Sequence, residues 1–326
     1  MNILKNLGII LTAGMLATSF AYAGTVKEYP NKPIRLIVPY SAGGITDVLG
    51  RMYAKQLSEQ LGQPVITENR TGAAGSIGID QLVRSEPDGY TLAFSPSGPL
   101  ASNFALYKEL SYHPVEDLAP VARIGFIQNI MVIHPDVPAK NFDEMIKLLR
   151  DNPGKYSYAS GGNGTAQHFS GELLKSLAKV DMTHVPYRGE SQSINDVLGG
   201  QVPISFLTAS VALPHIESGR LRAIAVTSKV RSARLPDVPT IAESGFPEYE
   251  MVAWFGAVVP KGTPQAIQEK LNEASAKAFS EGPVHDRFEA IDGIPGHEPL
   301  PELRDFIKSE VAKWSRIVEL TGARLD

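Results

Sequence analysis

The stretch PYSAGGITD, residues 39–47, lies between an apolar run, IRLIV (34–38), and an amphipathic one, DVLGRMYAKQLSEQL (47–61). The first run is short and β-branched. The second spaces Val48, Leu49, Met52, Tyr53, Leu57 and Leu61 as one helical face and stops at Gly62, so the reading is strand, glycine turn, helix. Such a turn brings bare backbone close to something: a phosphate, a substrate under attack, or a small anion that is only held.

The same unit recurs along the chain. Strands are expected at 34–40, 64–69, 89–95, 156–160, 183–187, 202–207 and 222–228. Helices are expected at 46–61, 142–151, 165–178, 190–199 and 209–218. This alternation predicts α/β layers built on largely parallel sheets. A proline-rich passage (234–250) breaks the rhythm. An apolar strand (251–260) and two helices (264–280 and 301–321) follow, the last carrying Phe306, Glu310, Trp314 and Ile317 along one stripe that docks on a core.

Three junctions share the pattern of strand, small turn and helix: Ser41–Asp47, Ser160–Thr165 (SGGNGT) and Tyr187–Ser191 (YRGES). Loops of this kind sit at the carboxyl ends of the strands, where open α/β sheets bind ligands. A helix start there offers unpaired N–H groups and a positive dipole end, which suits an anion. Thr46 or Asp47, and Thr165, are candidate N-caps. His168, one turn into its helix, and Arg188 are candidate partners for a carboxylate. Asp47 reads better as a residue that orients its own loop than as a ligand for an anion. For any single loop, glycine is equally well explained by backbone conformation.

Phosphate and covalent chemistry fit poorly. The first loop lacks G-x-x-x-x-G-K-[ST] and G-x-G-x-x-G, and GAAGSIG (72–78) has the wrong spacing and reads as a helix start. There is no G-x-S-x-G elbow, and Ser176–Lys179 matches S-x-x-K without its companion motifs. Histidines 113, 134, 168, 184, 215, 285 and 297 are dispersed, with no metal-binding pair. No cofactor, metal or catalytic residue is expected.

The amino-terminal 23 residues read as a secretory signal: one lysine, a short apolar segment, and Ala21-Tyr22-Ala23 as the cleavage site, with the mature chain starting near Gly24. An uncleaved membrane anchor is the alternative. There is no cysteine, hence no lipid-modified terminus and no disulfide. The formal charge of -4 becomes -5 once the signal's single lysine is removed. That mild acidity argues against nucleic acid and makes any attraction for an anion local.

Several longer motifs occur in order: YPNKPIRLIVPYSAGGITD, SYASGGNGTAQHFSGELL, VPYRGESQSINDVLGGQV, LPHIESGRLRAIAVTS, RLPDVPTIAESG, WFGAVVPKGTP and the terminal GARLD. Together they resemble the Bug (TctC-like) family of periplasmic receptors of tripartite tricarboxylate transport systems, over about residues 29–326. The resemblance implies a type II periplasmic-binding-protein fold, two α/β lobes around a hinged ligand cleft. Lobe I would comprise 24–128 and 255–326, and lobe II 129–254.

It also implies a set of ligand-binding residues. Tyr40, Ala42, Gly43, Gly44 and Asp47 fall on the first loop, with Ser95 and Ser97 after the third strand. Ser160, Gly161, Gly162, Thr165, His168, Tyr187 and Arg188 fall on the opposite wall, with Phe206 and Thr208 beside them. Where relatives often carry Phe-Asp-Asn, this chain has Phe206-Leu207-Thr208. SPSGPLASN replaces a GTNG-like turn. The missing Asp disfavours an ammonium-bearing ligand and leaves mono- and dicarboxylates, aromatic acids included. The implied function is a periplasmic solute-binding protein, a monomer, which captures a small carboxylate for integral membrane transporter subunits. A receptor feeding a sensor kinase and a secreted hydrolase on the same scaffold are the alternatives.

Overall fold

The computed structural model describes residues 29–187, 189–280 and 282–322. The signal segment and Arg188 lie outside these residues. The chain opens with β1 (Ile34–Val38), α1 (Ile45–Leu61), β2 (Val65–Asn69), α2 (Ser76–Val83) and β3 (Thr91–Pro96). A π-turn at Gly98–Ser102 leads into the short α3 (Asn103–Leu106), and then a long strand, β4 (Leu118–Ile133), runs through the middle of the molecule. The next part holds α4 (Phe142–Asp151), β5 (Ser157–Ser160), α5 (Ala166–Ala178), β6 (Thr183–Pro186), α6 (Glu190–Leu198), β7 (Ile204–Thr208), α7 (Ala209–Glu217) and β8 (Arg222–Val226). The chain returns through β9 (Val252–Pro260) and ends in α8 (Gln265–Ser280), α9 (Pro283–Ala290), β10 (Gly293–Pro295) and α10 (Leu300–Thr321).

One sheet runs through all of it in the order β2-β1-β3-β9-β4-β7-β5-β6, with β8 and β10 also on β4. The outer strands are parallel, β1 with β2 and β3, and β5 with β6 and β7. The central ones are antiparallel, so the sheet is mixed where the alternation of elements predicts a largely parallel one. The reason is β4, absent from the sequence reading. Its segment LAPVARIGFIQNIMVI is buried on both faces and so shows no period-two pattern. It also contains Pro120, Arg123 and Gly125, which break an apolar run. Arg123 is accommodated by Glu298, its Nε donating to Oε2 at 2.9 Å, and by the ring of Phe306 4.7 Å from the guanidinium.

β4 changes partners midway. Its last pair with β9 is Gln128–Val252, and its first pair with β7 is Asn129–Thr208. A single strand thus belongs to two half-sheets, each faced by its own helices. One core, with Leu36, Tyr53, Phe94 and Phe255, fills the first half, and another, with Ile130, Val132 and Leu207, lies in the second. A third is continuous across both, joining Met131, Tyr158 and Phe169 to Trp254 and Trp314. Each fully buried aliphatic or aromatic side chain contributes about 1.5–3 kcal/mol, so these cores hold the βα loops of both halves in fixed positions.

Candidate functional site: a cleft between two helix starts

Loops from both half-sheets face each other across a cleft of about 600 Å3. The first half supplies Tyr40, Ser41, Gly44, Ile45 and Thr46 from the β1–α1 loop, Pro96–Gly98 after β3, and Asn103 and Tyr107. The second supplies Asn163–Gln167 at the start of α5, Thr208 at the end of β7, and Asn129 of β4. Ala253 and Phe255 of β9 and Trp314 of α10 complete the wall. Apart from tyrosines, no ionisable side chain belongs to the lining among the described residues.

The first loop is organised from behind. Gly43, at φ 86°, turns the chain so that its N–H donates to Asp47 Oδ2 at 2.9 Å. Arg51 Nε reaches the same oxygen at 3.0 Å, and Asn69 Nδ2 bonds Asp47 Oδ1 at 2.8 Å and Tyr40 O at 2.9 Å. Burial raises the Asp47 pKa, but the bonds from Arg51, Gly43 and Asn69 outweigh it and hold the carboxyl below its ordinary value. Asp47 is therefore a buried brace. Gly44, in extended conformation at the N-cap of α1, gives that helix no side-chain cap. Ile45 and Thr46 line the cleft, and a helix's first turn leaves its N–H groups without intrahelical partners.

The second loop is built differently. Thr165 caps α5, accepting from His168 N–H at 3.3 Å and donating to Gly162 O at 2.7 Å. Gly162 sits at φ 128°, and a Cβ there would lie 2.9 Å from Tyr187 O, so glycine is needed for both conformation and space. His168 Nδ1 accepts the Gly164 N–H at 3.2 Å while its ring stacks on His184 at 4.2 Å. Burial pushes both imidazoles toward the neutral form, His184 down to about 4 with His168 as the second cause. The start of α5 then presents Ala166 and Gln167 to the cleft. Thr208 is fixed by Glu190, whose Oε1 accepts its N–H at 2.7 Å and Oε2 its hydroxyl at 2.9 Å. Burial raises the Glu190 pKa, and the bonds from Thr208 and Gln167 partly offset that rise.

Two helix starts and several amide and hydroxyl groups thus converge on a space whose lining, among the described residues, carries no charged side chain. The arrangement holds an anion by dipoles and hydrogen bonds, and offers no nucleophile beside a base. Among the described residues no cluster of His, Asp or Glu could hold a metal, and no helix is long and apolar enough to cross a membrane. The model of the tripartite tricarboxylate transporter family receptor, TctC, matches residues 49–323. The chain belongs to the TctC family.

BugT of Bordetella pertussis is 37% identical to this TctC receptor over 317 residues, 97% of this chain and 96% of BugT. Rpa4515 of R. palustris, solved with adipate, is 31% identical with a TM-score of 0.76, covering 90% of this chain and 99% of that one. MatC of Rhodopseudomonas palustris, solved with bound malate, is 29% identical with a TM-score of 0.72, covering 89% and 100%. The fold is the two-lobed α/β fold of periplasmic binding proteins, and the chain is a solute-binding receptor, not an enzyme.

Of the site residues expected for a TctC receptor, Tyr40, Gly44, Ser97, Thr165 and Thr208 line the cleft. Ala42 and Gly43 lie exposed on the outer turn of the first loop, and Asp47 lies behind it. Ser95 is fully buried and donates to Pro96 O at 3.1 Å. Ser160 is buried, its Oγ 2.7 Å from His184 Nε2 in a bond whose donor depends on the imidazole tautomer. Gly161, Gly162 and His168 shape the second loop from outside the lining. Tyr187 directs its hydroxyl to Asp196 Oδ2 at 2.6 Å, on α6. Phe206 is fully buried, edge-on to Tyr158, because alternation along β7 turns it into the core and off the cleft lining.

Sequence reading missed Asn129, Gln167, Phe255 and the cleft-facing role of Trp314. For Gln167 a signal existed, two residues after the Thr165 cap. For the others none did, since strand pairing brings Asn129 and Phe255 to the cleft and the packing of α10 on α5 brings Trp314.

Proposed function

We propose that this receptor works in the periplasm as a monomer. It captures a small carboxylate in the cleft between its lobes and delivers it to the integral membrane subunits of a tripartite transporter. In this reading residues 24–128 with 255–326 form lobe I and 129–254 lobe II; the first division is supported by the exchange of β9 for β7 between Gln128 and Asn129 of β4. Cleavage near Ala23 releases the mature chain.

The observation that carries the reading is the cleft itself. The starts of α1 and α5 meet at one space lined by Ser97, Thr165, Thr208, Gln167 and Asn129, with no charged side chain among the described lining residues. Such donors stabilise a carboxylate, whereas an ammonium group would find no anionic side chain among the described lining residues. The relatives solved with adipate and malate support a ligand of this class. Asp47 and His168 then act on the loops, and Tyr40, Gly44 and the hydroxyls on the ligand. Lobe closure removes water and strengthens these contacts.

A thermal-shift screen of mono- and dicarboxylates against amino acids tests the reading. Carboxylates lacking an amine should raise Tm, and calorimetry should confirm binding at one site per chain. Stabilisation by amino acids alone would overturn it.

A further inference from the structure

The chain has two tryptophans, and both indoles are buried. Trp254 Nε1 donates to Glu310 Oε2 at 2.7 Å. Trp314 Nε1 has no partner, and it is the one buried side-chain nitrogen or oxygen so placed among the described residues. Trp314 projects from α10, places its ring edge-on to Phe169 of α5 at 5.2 Å, and belongs to the cleft lining while only 2% exposed. A buried donor without an acceptor is unfavourable, and native interiors satisfy nearly all of them. Here the orphan belongs to a covered residue of the cleft wall.

We propose that the Trp314 indole N–H is a ligand donor at the floor of the cleft. It hydrogen-bonds an oxygen at one end of a ligand whose other end is a carboxylate held by the helix starts. This rests on the carboxylate reading above and sharpens it. The Gly44–Ile45 donors sit on an exposed loop, whereas Trp314 is almost wholly covered. The site therefore has donors at two depths and selects molecules with two separated acceptors, such as dicarboxylates. Phe255, stacked on Phe94 at 6.1 Å, adds an apolar wall for the carbons between them.

The test compares wild type with Trp314→Phe, which keeps an aromatic ring against Phe169 and removes the donor. Succinate and adipate are measured against butyrate and hexanoate by calorimetry. The variant should melt, without ligand, at or above the wild-type temperature, because the unsatisfied group is gone. It should bind the preferred dicarboxylate about tenfold or more weakly, the effect of one charge-assisted hydrogen bond, and lose its preference over the matching monocarboxylate. In wild-type protein labelled with nitrogen-15 tryptophan, ligand should shift one indole N–H resonance downfield, and Trp254→Phe should identify it as that of Trp314. This reading holds even if the Trp314→Phe variant fails to fold. Unchanged affinity in Trp314→Phe, or an indole resonance that ignores ligand, overturns the assignment of Trp314 alone. Wild-type protein that binds none of the four acids overturns the functional reading, and Trp314's role with it.

Discussion

Replacing His184 with Phe should flatten the acid limb of the stability curve. His184 of β6 stacks on His168 at 4.2 Å and on Tyr158 at 4.9 Å, positions a phenyl ring can occupy. Its pKa falls from 6.5 to about 4, first through burial, then through the neighbouring His168, with Lys175 lowering it and Glu172 opposing. Between those values the unfolded chain takes up a proton that the folded protein refuses. The stabilisation is therefore complete above the unfolded pKa and is lost progressively as pH falls toward the folded one. At pH 5 the linkage relation gives about 2 kcal/mol. The ring is only partly buried and titrates together with His168, which reduces this to about 1 kcal/mol. For a chain of this size that corresponds to about 2–4 °C of Tm.

The assay is calorimetric Tm for wild type and His184→Phe between pH 8 and pH 5. Taking the difference cancels the titrating groups that do not interact with His184. Wild type should lose about 2–4 °C more than the variant over this range. Burial lowers the His168 pKa, so ligand affinity should weaken only as pH falls through that lowered value, where a proton on His168 Nδ1 expels the Gly164 N–H it accepts and loosens the second loop. Parallel Tm curves would refute the reasoning, since they would mean that His184 takes up its proton as readily in the folded protein as in the unfolded chain.

Two further outcomes follow from the cleft. Gly44→Asp should fold normally, because Gly44 sits at φ −75° and ψ 167° with no atom nearer its added Cβ than Ser41 O at 3.6 Å. The new carboxylate would cap α1 and occupy its first-turn donors, so carboxylate affinity by calorimetry should drop about tenfold or more; unchanged affinity would remove this loop from the site. Because no cationic side chain lines the cleft among the described residues, raising NaCl from low to high concentration should change affinity by less than about threefold. A steep salt dependence would point instead to a cation at the site.

Much of this architecture is legible locally. Helix α4 matches its expected span at both ends, and α1 begins one residue early, because amphipathic spacing and the Gly62 stop act over one or two turns. The glycine loops are legible for a similar reason: Gly43 and Gly162 need positive φ, and Thr165 needs only its own helix to cap. The jaws of the cleft could therefore be named from sequence. Their division of labour could not, since Asp47 and His168 brace from behind through partners as distant as Asn69 and His184.

The sequence by itself determined the repeated strand–turn–helix units and the helix starts that favour an anion, because those properties depend on neighbours a few residues away. Only the tertiary structure decided that β4 passes through both half-sheets, that Phe206 turns inward, and that Phe255 and Trp314 meet Asn129 and Thr208 across one cleft. Those outcomes depend on pairings between segments far apart in the sequence, from Tyr158 and Phe206 to Gln128 and Val252. No local periodicity records them, and the burial of shared apolar surface is what selects them.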